Sequence, residues 1–313
     1  MSRLPSSAIA TFAGASGNKL VAEVFGERGS PVLLLHGGGQ TRHAWRATAG
    51  ELARRGHIAY ALDQRGHGDS DWIADGAYSF PDFAADVRAV AEELARRSQD
   101  KPAVIGASLG GISALLAEGE AERSGRNLFS SLVLVDITPR VDRDGVARIH
   151  SFMRAHASEG FASIDDAANA VAEYLPHRPR PKSNEGLKKN LRMSPDGRWR
   201  WHWDPRFIDG PSRVGADHGR TERMLVEAAR GITIPALLVR GGSSELVHEA
   251  HVREFLELVP HAEYVDVADA RHMVAGDRND HFSTAVIDFL GKLDSGAGMR
   301  NSPGTDRSAN SVE

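Results

Sequence analysis

The chain has 313 residues, with 38 Lys plus Arg against 42 Asp plus Glu, 14 His and no Cys. That length suits one large domain, or a domain with a sub-domain, around a sizeable core, and 41% hydrophobic with 26% charged residues describes an ordinary soluble globular protein. A net charge of −4 gives no general attraction to nucleic acid or acidic lipid, and the lack of Cys excludes disulfides, Cys-ligated zinc, iron–sulfur clusters and thiol nucleophiles.

The first 17 residues carry one Arg and a short apolar stretch broken by Ser and Thr, which reads as a first strand rather than a signal peptide. No apolar run approaches the ~20 residues that span a bilayer, so the expected compartment is the cytoplasm. Ile9–Phe12 and Leu20–Phe25 predict a leading hairpin, broken by Gly14, Ser16, Gly17 and Asn18. Val32–Leu35 (VLLL), Ile58–Leu62, Ala103–Ile105, Leu132–Val135, Ala236–Val239 and Tyr264–Val267 predict buried strands. Between them run amphipathic stripes. Phe83, Val87, Val90 and Leu94 mark one helix, with Ser79 or Asp82 as its cap; Val252, Phe255, Leu256 and Val259 mark another, and Phe282, Val286, Phe289 and Leu293 a third. Strands that are apolar throughout and alternate with helices predict a mainly parallel sheet covered on both faces. From about Pro139 to Gly231 only helical patterns and Pro/Arg-rich linkers appear, which predicts a helical cap over one edge of the sheet. The expected organisation is a core of residues 1–138 and 231–293, a cap of 139–230, and a Gly/Ser/Asn-rich tail, 294–313, expected to be disordered.

The sharpest chemical signal is Gly106-Ala107-Ser108-Leu109-Gly110, a G-x-S-x-G placed after a strand and before a helical pattern. A turn this tight needs small residues around the serine and pushes its hydroxyl outward beside a helix N-terminus. A Gly-rich turn with an incidental Ser is the bland alternative, and the strand-to-helix context argues against it. His36-Gly37-Gly38-Gly39 ends the VLLL strand, where glycines let backbone N–H groups converge on an anion. Acyl transfer needs such donors at its developing oxyanion, and Gly38 and Leu109 N–H are the candidates. His272, after the last predicted strand, is the candidate base, because a serine hydroxyl needs one and imidazole titrates in the right range. The chain order Ser…acid…His calls for a carboxylate between them at a strand end. Glu245, after the penultimate strand, is preferred; Asp136, ending the LVLV strand, is its rival.

Together the HGGG run, the DQRGHGDS segment (Asp63–Ser70), GASLGG, VDITP and RHMVAGD resemble the α/β-hydrolase superfamily over roughly residues 18–292. The resemblance implies an α/β fold: a mostly parallel eight-stranded sheet flanked by helices, with a cap inserted after the sixth strand. It implies Ser108 as nucleophile and His272 as base. Glu245 falls where most members have Asp. Epoxide hydrolases and haloalkane dehalogenases use an elbow Asp, whereas position 108 is Ser. The serine carboxylesterases, among them monoalkyl phthalate hydrolases, are similar in layout; meta-cleavage carbon–carbon hydrolases and cofactor-free perhydrolases share the Ser-His-acid set.

The expected function is hydrolysis of a small carboxylic ester, an aromatic monoester being the specific guess, through an acyl-enzyme. The expected partner is that small molecule alone, with no metal or cofactor, no nucleic acid and no membrane, in a monomer or homodimer. Residues 177–206 hold nine Lys/Arg and three Asp/Glu together with Trp199, Trp201 and Trp203. The alternation puts the tryptophans on one face of an extended segment, either anchoring the cap or walling the substrate. Gly37, His43, Trp45, Phe152, Met153, Trp201 and Trp203 are the candidate pocket residues, each with ordinary core packing or surface exposure as its alternative.

Overall fold

The computed structural model describes residues 6–176, 180, 182–268, 270–272 and 280–300. Of the residues singled out above, Met273–Asp277 of the late motif, and the tail beyond Arg300, lie outside that set, as does the Phe282 side chain. The chain enters through an antiparallel hairpin, β1 (Ser7–Ala13) and β2 (Lys19–Phe25). It continues through β3 (Pro31–Leu35), α1 (Arg46–Arg54), β4 (Ile58–Asp63), α2 (Phe80–Ser98), β5 (Ala103–Ala107), α3 (Leu109–Arg123) and β6 (Ser131–Val135). After a long insertion come β9 (Ala236–Gly241), α8 (Glu249–Leu258), β10 (Glu263–Val267) and α9 (Asp280–Arg300). The strands form one eight-stranded sheet in the order β1-β2-β4-β3-β5-β6-β9-β10, parallel from β4 to β10.

Each central strand is buried on both faces, and alternate residues serve opposite sides. Leu33 and Leu35 of β3 pack in one cluster with α2, α3 and α8; Val32 and Leu34 pack in another with Trp45, α1 and α9. Ser79 caps α2 through a capping box with Asp82, and Pro81 fits the first turn. The chain leaves β3 toward β4 on one side and returns to β5 on the other. Loops after β3 and β5 therefore diverge at a topological switch point, where sheets of this kind leave a crevice.

The insertion holds α4 (Arg143–Ala155), α5 (Ile164–Tyr174), the short α6 (Arg206–Asp209) and α7 (His218–Gly231). It also holds a two-stranded ribbon, β7 (Leu191–Met193) and β8 (Trp199–Trp201), where only helices and linkers were expected. Its own cluster joins Met153, Phe161, Trp201, Trp203 and Phe207 to Leu109, Tyr78 and Phe83 of the core. Helix α7 lies on the core: Leu225, Ala228 and Ala229 join the cluster around α3, and Gly119 leaves room for Ala228. The stretch expected to be disordered from Asp294 begins inside α9, which runs to Arg300. Among the described residues no helix is long and apolar enough to cross a membrane.

Candidate active site

Ser108 stands between β5 and α3 with φ 47° and ψ −114°, a region that costs a non-glycine residue about 1–3 kcal/mol. Tight packing holds it there. Its N–H donates to Val135 O at 3.2 Å, and its carbonyl accepts from Ile112 N–H at 3.0 Å. A Cβ on Gly106 would come within 2.5 Å of the Gly110 backbone, and one on Gly110 would collide with Leu35 of β3. The glycines are what let β3, β5 and α3 meet, and the serine projects from the junction.

The loop after β3 is fixed by two buried imidazoles. Gly37 N–H donates to Gln40 Oε1 at 3.0 Å, and Gly39 N–H, at φ 78°, donates to His67 Nε2 at 3.1 Å. Gly38 N–H, between them, has no acceptor among the described residues, and neither does Leu109 N–H in the first turn of α3. His67 Nδ1 faces Arg65 O at 2.9 Å. His36 spans Gly37 O and Gln64 N–H at 2.8 and 3.1 Å. Each ring thus needs one protonated and one bare nitrogen. Burial enforces that neutral form, pushing His36 down to about 4 and His67 down to about 3.

His272 Nδ1 lies 2.8 Å from Asp136 Oδ2, with both residues buried at 6% and 2% exposure. Asp136, at φ 51°, directly follows β6. Its carboxylate also accepts Ser244 O–H at 2.7 Å and Gly241 N–H at 3.1 Å. Three donors satisfy a buried charge that would otherwise be costly. The structure therefore brings the rival carboxylate to the imidazole, and Glu245 makes no hydrogen bond with His272 among the described residues. The reason is local. The β9 turn folds Ser244 inward onto Asp136, while the Glu245 backbone abuts Gly145 of α4 and its carboxylate acts on Tyr174 of α5.

Ser108, Leu109, Gly38 and His272 all line one cavity of about 410 Å³. Its apolar wall is Phe80, Ile112, Ile137, Ile149, Met153 and Phe207. Phe207 and Met153, from the insertion, press on Gly38 and Gly39: a Cβ on either glycine would meet them at 3.1 and 3.0 Å. Of the seven pocket residues proposed from sequence, Met153 lines this cavity. Trp45 is fully buried beneath the sheet with Phe25 and Leu34. His43 Nδ1 stands 3.6 Å from Glu23, and Arg42 is held by Asp63 and Asp69. Gly37 is turned toward Gln40. Phe152 stacks on Tyr174 at 4.2 Å, Trp201 meets Phe161 edge-on at 5.2 Å, and Trp203 packs near Phe207 at 6.2 Å. The tryptophans thus build the interior of the insertion.

The basic residues around the tryptophans are likewise occupied: Arg192 lies 4.7 Å over Trp72, Arg200 pairs with Asp196 and Arg206 with Asp204. Sequence reading missed Ile149 and His150, although the spacing Val146–Ile149–Met153 marks a helical face. It also missed Arg213, Val214 and His218, whose segment carries no such pattern. Among the described residues no group of three or more His, Asp or Glu could hold a metal ion.

A family model described as alpha/beta hydrolase fold matches residues 30–278. The chain is 30% identical to esterase Rv0045c of Mycobacterium tuberculosis, over 79% of this chain and 78% of that protein. It is 29% identical to a 2-(acetamidomethylene)succinate hydrolase of Mesorhizobium japonicum, over 84% and 90% respectively. A crystal structure of an E-2-(acetamidomethylene)succinate hydrolase superposes with a TM-score of 0.76 at 25% identity, covering 91% of this chain and all of the other.

Proposed function

Because the chain belongs to the α/β-hydrolase family, we propose that it is a serine hydrolase that cleaves a small carboxylic ester through an acyl-enzyme. Ser108 attacks the ester carbonyl. His272 accepts the hydroxyl proton on Nε2 and returns it to the departing alcohol, while Asp136 holds Nδ1–H and stabilises the imidazolium. Gly38 and Leu109 N–H receive the oxyanion of the tetrahedral intermediate. Water, activated by the same imidazole, then releases the acid and restores the serine. The insertion acts as a cap, with Met153 and Phe207 excluding water above the oxyanion loop.

The observation that carries this reading is convergence. A strained serine and a carboxylate-oriented imidazole open on one cavity beside two N–H groups with no acceptor among the described residues. The Ser108 hydroxyl has no hydrogen-bond partner among the described residues, and a bond of this kind to a general base is commonly long until substrate tightens it.

The test is turnover of a panel of nitrophenyl, short-chain alkyl and aryl esters, with a vinylogous diketone ring-fission product as comparator, by parent protein and Ser108→Ala. Ester hydrolysis that falls by on the order of a millionfold in the variant supports the proposal. Turnover of the diketone alone would move the assignment to carbon–carbon hydrolysis, and undiminished ester hydrolysis by the variant would end it.

A further inference from the structure

The cavity that opens on Ser108 also has a polar, largely exposed lining. Besides its apolar wall it is lined by Arg140, Arg143, His150, Arg154, Arg213 and His218, against one lining carboxylate, Glu222. Most of those cations are already matched. Arg140 and Arg143 both reach Glu222, Arg140 also pairs with Glu254, and Arg154 Nε donates to Asp209 Oδ1 at 2.7 Å.

Arg213 has no ion-pair partner among the described residues, and its hydrogen bond is a long one, 3.5 Å to Gly210 O. His218 stands against Gly215, two residues along the same wall. His150, half-buried on α4, has no hydrogen-bond partner among the described residues. Its burial, with Arg154, His218 and Arg213 nearby, pushes it down to about 4. The loop carrying Arg213 is tied to the reaction centre, since Val214 N–H donates to Phe207 O at 3.3 Å and the Phe207 ring lies against Gly38.

We propose that this polar lining of the cavity binds a carboxylate on the substrate, so that the enzyme selects half-esters of dicarboxylic acids, with Arg213 as the specificity-determining residue and His218 and His150 beside it. The proposal rests on the ester-hydrolase reading above and adds to it the charge of the substrate. Arg213 is exposed where it lines the cavity, and a guanidinium with open donors favours a planar anion that it can meet with two parallel hydrogen bonds. The aliphatic and aromatic wall accommodates the spacer, and the ester carbonyl then sits at Ser108.

The experiment compares kcat/KM for monomethyl and dimethyl phthalate, and for monomethyl and dimethyl succinate, in the parent protein and Arg213→Gln. The expected result is a preference for the half-esters that falls roughly 10- to 100-fold in the variant, the range for a hydrogen bond to a charged group, while the diesters are turned over as before. Equal loss on both, or no preference in the parent, would overturn the proposal and leave the hydrolase reading standing.

A second arm does not depend on turnover: calorimetric titration of free phthalate and succinate into Ser108→Ala, with and without Arg213→Gln. Binding that the added substitution weakens supports the subsite even if no ester is hydrolysed. Binding that it leaves unchanged, or no binding of either diacid, overturns it.

Discussion

At the scale of single residues, the strained serine turn was legible and the carboxylate that meets His272 was not. Ser108 could be read because its turn demands glycine at fixed spacings, and Gly106 and Gly110 stand where a Cβ would strike backbone. The choice between Glu245 and Asp136 depends on how two adjacent strand ends splay, which no local pattern encodes. Asp136 holds a positive φ and gathers donors 105, 108 and 136 positions away. Asp136→Asn keeps the shape but removes the charge behind the imidazole, so kcat should fall on the order of a hundred- to ten-thousand-fold. Glu245→Gln should leave kcat within a small factor of the parent. Steady-state kinetics of the two variants decide between the carboxylates, and the opposite ranking would return the role to Glu245. The pocket tryptophans were misplaced for a related reason: a large aromatic residue serves a cap interior as readily as a substrate wall.

At the scale of elements, the sheet was legible strand by strand because buried parallel strands are apolar on both faces. The β7–β8 ribbon was not. Each of its strands is three residues long, and its alternating Arg and Trp resemble a linker. Helix α7 lies in the inserted stretch by sequence but packs on α3, a partnership set by Ala228 meeting Gly119. The meeting of β3, β5 and α3 makes a sharp prediction. Gly110→Ala places a methyl group into the Leu35 backbone, an overpacking that should cost about 1–3 kcal/mol or more. It should lower the urea midpoint and loosen the Ser108 turn, so stability and kcat fall together. An unchanged midpoint would show that the junction has slack the packing does not display.

At the scale of the whole molecule, the buried imidazoles behind the glycine loop after β3 should make the fold sensitive to acid. His36 and His67 are held neutral, well below the ordinary value of 6.5, chiefly by burial. The unfolded chain binds these protons first. The contribution of the two neutral rings is therefore complete above about pH 6.5 and is lost as pH falls toward their folded values near 4 and 3. Urea denaturation at pH 7.5, 6.0 and 5.0 should give unfolding free energies that decline steadily, by about a few kcal/mol in total. His67→Gln, which can still accept from Gly39 N–H, should flatten that decline. A decline of the same steepness in the variant would place the acid sensitivity elsewhere.

The most direct test of the account is covalent. Incubation with an aryl fluorophosphonate, followed by intact-mass and peptide mass spectrometry, should add one phosphonyl group to the peptide containing Ser108 and abolish ester hydrolysis in proportion to labelling. Ser108→Ala should remain unlabelled, and Asp136→Asn should label slowly. Full activity in a protein that has met excess reagent, or stoichiometric labelling at any other residue, would contradict the assignment of Ser108 as the group that attacks the substrate.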